Sequence, residues 1–91
     1  MAYCEEIQRR REEIDRIDEI VMSLLDKRME LALDIGRIKR IYNLPIYQNG
    51  REEEILEKAE GRRYGKIMRD IYAVIMEESK KVQADGEHVY K

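Results

Sequence analysis

The sequence predicts an all-α fold of three helices, one long, one short and one of medium length. Hydrophobic residues make up 43% and charged residues 42% of the 91 residues, with only one proline and five glycines. A β-sandwich would need many more turn residues. Apolar residues also recur at the three- and four-residue spacing of a helix. These observations predict helices that each have one apolar and one charged face.

The first helix is predicted from Glu5 to Ile41, about 37 residues and roughly 55 Å long. The segment contains no proline, and its one glycine is Gly36. The residue before Pro45 is pushed out of the α region, so the helix ends before it. Two rows at seven-residue spacing form what we call the apolar seam: Ile14, Val21, Arg28, Ile35 and Tyr42 in one row, and Ile17, Leu24, Leu31 and Ile38 in the other.

A helix of this length has a consequence for assembly. A compact chain of this size has a radius of gyration of only about 12 Å, so the helix would project beyond it. The projecting part still carries apolar residues that must be covered. A kink at Gly36 would fold it back, but one glycine without proline is a weak breaker. We therefore expect an intertwined helical-bundle homodimer, in which two long helices cover each other.

Two further helices follow. The second is predicted over 51–60, with Asn49 as its N-cap and Gly61 as its stop signal. The third is predicted over 65–84 and ends at Asp85-Gly86. We expect residues 1–86 to form one domain and residues 87–91, which include His88, to form a flexible tail.

Composition and charge exclude several classes of function. The net charge of −2 leaves no general polycationic surface, so we expect no nucleic-acid partner. No stretch is apolar enough to span a membrane, and the N-terminal residues lack the apolar run of a signal peptide. Cys4 is the only cysteine, which excludes an intrachain disulfide and fits a reducing cytoplasm.

Arg28 is the one charged residue in the apolar seam. An unpaired guanidinium is costly to bury and cannot lose its proton, so an anion must lie within its reach. Lys39 lies three turns later, within about 20° of the same direction and roughly 16 Å along the axis. The two side chains can converge on a small anion. Close approach by something bulky would explain Gly36 between them.

Other polar positions allow two interpretations each. Arg11 lies about 25 Å from Arg28 along the axis, so it could reach only the partner's site in an antiparallel pair. Spacing alone favours an exposed residue in a basic run. On the third helix, an apolar row continues into Ser79 and Gln83 at four-residue steps. This row is either a face entering solvent or the polar floor of a pocket.

The sequence offers no nucleophile with an adjacent base, no cluster of metal ligands and no glycine-rich phosphate loop. Ser79 has no histidine to activate it. We therefore expect a pocket for a small dianion. An enzyme of this kind would act by orientation and electrostatics rather than by covalent or acid–base chemistry.

These residues together resemble the all-helical (AroQ-type) chorismate mutases over roughly residues 5 to 84. The matching positions are Arg11-x-x-Ile14-x-x-Ile17-Asp18, Leu24-Leu25-x-x-Arg28, Ala32-x-x-Ile35-Gly36-x-x-Lys39, Pro45-Ile46, Arg51-Glu52, and Glu78-Ser79 with Gln83. The resemblance implies an intertwined homodimer with two sites. It also implies conversion of chorismate to prephenate by a cofactor-free Claisen rearrangement, in phenylalanine and tyrosine biosynthesis.

The resemblance also implies roles for single residues. Arg28 would bind one substrate carboxylate, and the partner's Arg11 would bind the other. Lys39 and Gln83 would donate to the ether oxygen of the breaking bond, and Glu52 would hold the substrate hydroxyl.

Three more residues would complete the site. Arg51 and Ser79 would finish the polar lining. Gln48 stands where many members of the family have an aspartate, so its contact to the substrate hydroxyl would be made by an amide.

Two alternatives stay open at this point. An isochorismate–pyruvate lyase would use the same fold and a similarly cationic pocket, and product analysis separates the two enzymes. A non-catalytic dimerisation or regulatory module would use its core charges as structural ion pairs. Such a module predicts that Arg28 pairs with Glu52 and that no cavity remains.

Overall fold

The computed structural model describes residues 2–47 and 49–85, which form three helices in the order α1 (Ala2–Ile41), α2 (Asn49–Glu60) and α3 (Gly65–Asp85). No strand occurs in these ranges, so the all-α prediction is confirmed. Gln48 and the predicted tail at residues 87–91, including His88, lie outside the described residues.

The predicted helix boundaries are close to the observed ones, with two corrections. α1 begins at Ala2, three residues earlier than predicted, because neither proline nor glycine interrupts the start and Glu5 favourably occupies its first turn. Asn49 was predicted as an N-cap outside the second helix. It is instead the first residue of α2.

The end of α1 is closed by backbone hydrogen bonds as well as by the proline that follows. Asn43 has a positive φ of 55°, a left-handed conformation that asparagine tolerates. Its N–H donates to the Arg40 carbonyl at 3.3 Å, and the Leu44 N–H donates to the Lys39 carbonyl at 2.7 Å. This Schellman motif turns the chain sharply. The turn brings Ile46 back beside the last residues of α1.

α3 packs against both other helices. The buried apolar residues are Ala32, Ala59, Met76 and Val82. α1 and α3 approach each other closely at Gly36, since a Cβ there would lie 2.5 Å from the backbone oxygen of Gln83 and 2.7 Å from its Cα. The bulky group expected beside Gly36 is therefore the backbone of α3.

The N-terminal half of α1 projects from this body. The chain measures 61 × 31 × 14 Å with a radius of gyration of 17.2 Å, well above the roughly 12 Å expected for a compact chain. α1 continues as one helix through Gly36, and every residue from 2 to 24 is exposed. The apolar seam is thus uncovered within one chain, and the homodimer stays a prediction. None of the helices in the described ranges has the length and hydropathy that a membrane crossing requires.

Candidate functional site

A cavity of about 420 Å³ lies between the C-terminal half of α1, the start of α2 and the C-terminal half of α3. Six of the eight residues predicted for the site line it: Arg28, Lys39, Arg51, Glu52, Ser79 and Gln83. Apolar side chains complete the wall: Leu31, Ala32, Ile35, Ile46, Ile55 and Met76. Residues far apart in the sequence are therefore brought to one concave site.

Arg28 enters the cavity from α1 with only neutral partners. Its Nη1 donates to the Ser79 Oγ at 2.6 Å, and its guanidinium carbon lies 5.9 Å from the centre of the Tyr72 ring. No carboxylate in the described ranges lies within ion-pair distance of it. The Arg28–Glu52 pair predicted by the non-catalytic alternative is therefore not found, and a cavity is present.

Lys39 is the more deeply buried cation, with 8% of its surface exposed. Its Nζ donates to the Ile46 carbonyl at 2.6 Å and to the Gln83 Oε1 at 2.8 Å. An ammonium has three donors and no acceptor. Lys39 therefore keeps one further N–H for a ligand. Because Gln83 presents its oxygen to Lys39, its NH₂ group is left as a donor.

Gln83 is held by its backbone as well as by its side chain. The Arg40 Nη1 donates to the Gln83 carbonyl at 2.6 Å. This carbonyl belongs to the last turn of α3, where helix carbonyls lack partners within the helix. The absence of a side chain at Gly36 leaves room for the same backbone segment. Sequence reasoning missed Arg40, because it lies in a basic run that is typical of a solvated face.

The burial of Ser79 distinguishes the two interpretations of the Ser79–Gln83 row on α3, a face entering solvent or the floor of a pocket. Only 6% of its surface is exposed. Its Oγ accepts from Arg28 and lies 3.8 Å from the Met29 Sδ. Gln83, one turn later, is half-buried and also lines the cavity. The row therefore forms the polar floor of a pocket and does not simply enter solvent.

Glu52 enters the cavity from α2 with a partner that sequence reasoning missed. Its Oε1 lies 3.2 Å from the Nζ of Lys80, and the same ammonium lies 2.9 Å from the Oε1 of Glu77. The hydrogen bond to Glu77, followed by the one to Glu52, raises the pKa of Lys80. The available signal for Lys80 was its position four residues after Met76, which places it on the buried face.

The remaining predicted site residues lie at or beyond the rim. Arg51 lines the cavity, but its side chain is largely exposed and its Nη1 lies 3.4 Å from the Glu54 Oε1. Arg11 is exposed on the projecting half of α1 and does not line the cavity of its own chain. Gln48 falls outside the described residues.

The chemistry of the cavity follows from these groups. Arg28 and Lys39 supply two positive charges that have no carboxylate partner in the described ranges. Gln83 and Ser79 supply neutral polar groups, and Glu52 supplies an acceptor. Groups of this kind can bind a small organic dianion and can stabilise negative charge on one of its oxygens. Across residues 2–47 and 49–85, no group of three or more His, Cys, Asp or Glu could hold a metal ion.

Comparisons with known proteins identify the relatives of this chain. Residues 10–84 match the family described as chorismate mutase type II. A bifunctional chorismate mutase/prephenate dehydratase from Aquifex aeolicus is 54% identical over 54 residues, which are 59% of this chain and 15% of that protein. A T-protein from Enterobacter agglomerans is 35% identical over 74 residues, 76% of this chain and 20% of that protein.

A solved structure is also similar. It is a conserved hypothetical protein from Pyrococcus furiosus, 48% identical with a TM-score of 0.72, covering 80% of this chain and 88% of that one. The chain spans 20% or less of the length of the two curated relatives named above.

Proposed function

This chain belongs to the chorismate mutase type II family, and we propose that it catalyses the conversion of chorismate to prephenate. In this intramolecular rearrangement one carbon–oxygen bond breaks and one carbon–carbon bond forms, so neither a nucleophile nor a cofactor is required. The observation that carries the proposal is a cavity of about 420 Å³ whose two inner cations have only neutral partners in the described ranges.

Substrate binding begins with the charge of the ligand. Chorismate carries two carboxylates, and Arg28 binds one of them with the planar fork that suits a carboxylate. The hydrogen bond to Ser79 and the ring of Tyr72 orient the guanidinium before the substrate arrives. Holding the flexible dianion in a compact conformation supplies part of the rate enhancement.

Stabilisation of the transition state is assigned to Lys39 and Gln83. As the ether bond breaks, negative charge develops on its oxygen. The third N–H of Lys39 and the NH₂ group of Gln83 donate to this oxygen. These contacts strengthen as the charge grows, which lowers the barrier rather than merely tightening substrate binding. The mutual hydrogen bond at 2.8 Å keeps both donors in place.

The other predicted site residues hold the rest of the substrate. Glu52 accepts a hydrogen bond from the substrate hydroxyl, and the amide of Gln48 contacts the same hydroxyl. Arg51 and Ser79 complete the polar lining.

The second substrate carboxylate requires a further cation. The other two cations that line the cavity, Arg51 and Lys80, are already paired with carboxylates, so we assign this role to the partner's Arg11 in a homodimer. Two chains lying along each other's projecting α1 would cover the apolar seam and bring Arg11 to the opposite cavity.

Complementation tests the homodimer. Arg11→Ala and Arg28→Ala should each be inactive. After the two variants are mixed and refolded, half of the dimers are mixed and each has one intact site. The mixture should recover about one quarter of the wild-type activity. Recovery of none would place Arg11 in the site of its own chain, and full activity of Arg11→Ala alone would place Arg11 outside any site.

The activity itself is tested by incubating the purified protein with chorismate and following the products by NMR, with isochorismate in parallel. Formation of prephenate is the expected result. Pyruvate released from isochorismate alone would instead assign the lyase activity. A folded protein that converts neither substrate would instead indicate a non-catalytic binding module.

A further inference from the structure

Lys80 differs from Arg28 and Lys39, the two inner cations of the cavity, in the charge of its partners. Arg28 and Lys39 contact only neutral groups in the described ranges. Lys80 lies between two carboxylates, 3.2 Å from the Oε1 of Glu52 and 2.9 Å from that of Glu77. Its charge is therefore already compensated within the protein, and it attracts a substrate carboxylate less strongly than Arg28 does.

Two carboxylates from different helices contact Lys80. Glu77 precedes it by one turn of α3 and lines only an open groove outside the cavity, whereas Glu52, on α2, lines both that groove and the cavity. The Nζ also lies 5.3 Å from the centre of the Tyr47 ring. A lysine side chain has several rotatable bonds, so three contacts on different elements restrict it far more than one would. Lys80 thus connects α3, α2 and the connection before α2.

Glu52 needs such a partner if it is to contact a dianion. A carboxylate without compensation would repel the substrate. Lys80 removes this repulsion and occupies the Oε1 of Glu52. No group in the described ranges donates to the Oε2, which leaves that oxygen to accept a hydrogen bond.

We propose that Lys80 is a positioning residue, which holds the Glu52 carboxylate in the orientation that accepts the substrate hydroxyl. This inference rests on the proposed function for its kinetic consequence. Its structural part, the pairing of Lys80 with Glu52, does not depend on turnover.

The kinetic experiment compares Lys80→Met with Lys81→Met in the full chain. Lys81 is adjacent, is more exposed and pairs with Glu78 over the same i,i+3 spacing, so it controls for the loss of one lysine. Lys80→Met should raise KM about tenfold, the effect of losing one hydrogen bond to a charged group, with kcat nearly unchanged. Lys81→Met should leave both constants unchanged. Lys80→Arg should restore most of the affinity, because it keeps the charge.

A double variant separates positioning from direct contact with the substrate. If Lys80 acts through Glu52, then adding Lys80→Met to Glu52→Gln should cause no further loss. If the two losses multiply, Lys80 touches the substrate itself and the inference is wrong. Equal KM values for Lys80→Met and the wild type would overturn it as well.

An NMR measurement makes the result independent of activity. Nuclear Overhauser contacts from the Lys80 ε-protons to the Glu52 γ-protons and to the Tyr47 ring are expected in the wild-type protein without substrate. Their absence would overturn the inference even if the enzyme is active. Conversely, an inactive wild type that shows these contacts would refute the proposed function and leave the pairing of Lys80 with Glu52 standing.

Discussion

The two halves of α1 carry the same apolar seam but meet different surroundings. In the C-terminal half, Ala32, Gly36 and Lys39, which lie beside the seam, are buried, whereas the seam residues Leu31, Ile35 and Ile38 stay 62%, 46% and 51% exposed. In the N-terminal half every residue from 2 to 24 is exposed, including Leu24 at 59% of its surface. A seven-residue repeat of apolar residues thus predicts that a helix face will be buried. It does not specify whether the helix that buries it belongs to the same chain or to a partner. Three substitutions in α1 test this contrast, and a fourth tests the contacts of Lys80.

The largest effect, dissociation of the homodimer, is expected from a substitution in the exposed N-terminal half of α1. Leu24→Glu places a carboxylate in the seam of each chain, and burying two such charges would cost several kcal/mol, on the order of the affinity itself. Sedimentation should show the mass falling from twice 11.0 kDa to 11.0 kDa. Ser23→Glu, which adds the same charge one residue off the seam, should leave the mass unchanged. A wild type that sediments as a single chain would contradict the homodimer.

The next effect concerns the charged member of the seam in the packed half. Arg28→Ala removes a cation that lacks a protein carboxylate, so kcat/KM should fall about a thousandfold, or ~4 kcal/mol, while the protein stays folded. Circular dichroism and kinetics measure the two properties separately. Arg37→Ala, an exposed arginine paired with Asp34 on the same helix, is the matched control and should retain activity. Unfolding of Arg28→Ala would show instead that the charge is structural.

The contact that covers the packed half is tested at Gly36. A methyl group there meets the backbone of Gln83, which cannot rotate away, so Gly36→Ala should destabilise the fold by about 1–3 kcal/mol in urea unfolding. Gly50→Ala is the control, because nothing lies within 4 Å of the added Cβ. Alanine at Gly50 should stabilise α2 by up to about 1 kcal/mol. Equal stabilities for the two variants would mean that α3 does not approach α1 this closely.

The smallest effect is a local one at Glu77, the more exposed of the two carboxylates that pair with Lys80. The hydrogen bond and charge of Lys80 lower the pKa of the Glu77 carboxyl below its ordinary value of 4.5. A lowered pKa means that the pair stabilises the fold above pH 4.5 and that this contribution is lost as the pH falls through the folded pKa. In a ¹³C NMR titration, Lys80→Met should return the pKa of Glu77 towards 4.5. Lys81→Met should move it less, since Lys81 acts only through space.

Local signals allowed most of the fold to be predicted. Proline, glycine and helical periodicity act over a few residues, so the helix boundaries were predicted to within three residues. Arg28 was recognisable because a charge in an apolar stripe is anomalous by itself, and Lys39 because it points in nearly the same direction three turns later.

No local signal distinguished Arg40, and the only one for Lys80 was its position four residues after Met76. Both lie in charged runs, and their partners belong to other elements. Whether a surface charge meets such a partner depends on how helices pack, which a single stretch of sequence does not specify. For the same reason, the geometry of one chain leaves Arg11 outside the cavity.

The contacts around Gln83 also have a consequence for motion. This residue lies two positions before the end of α3, where helices ordinarily fray. Two consecutive residues of α1 prevent this, since Lys39 binds the side chain of Gln83 and Arg40 binds its carbonyl. The last turn of α3 is therefore held against the last turn of α1. Little conformational entropy remains to be lost there when a ligand binds, so the donor is in place before the encounter.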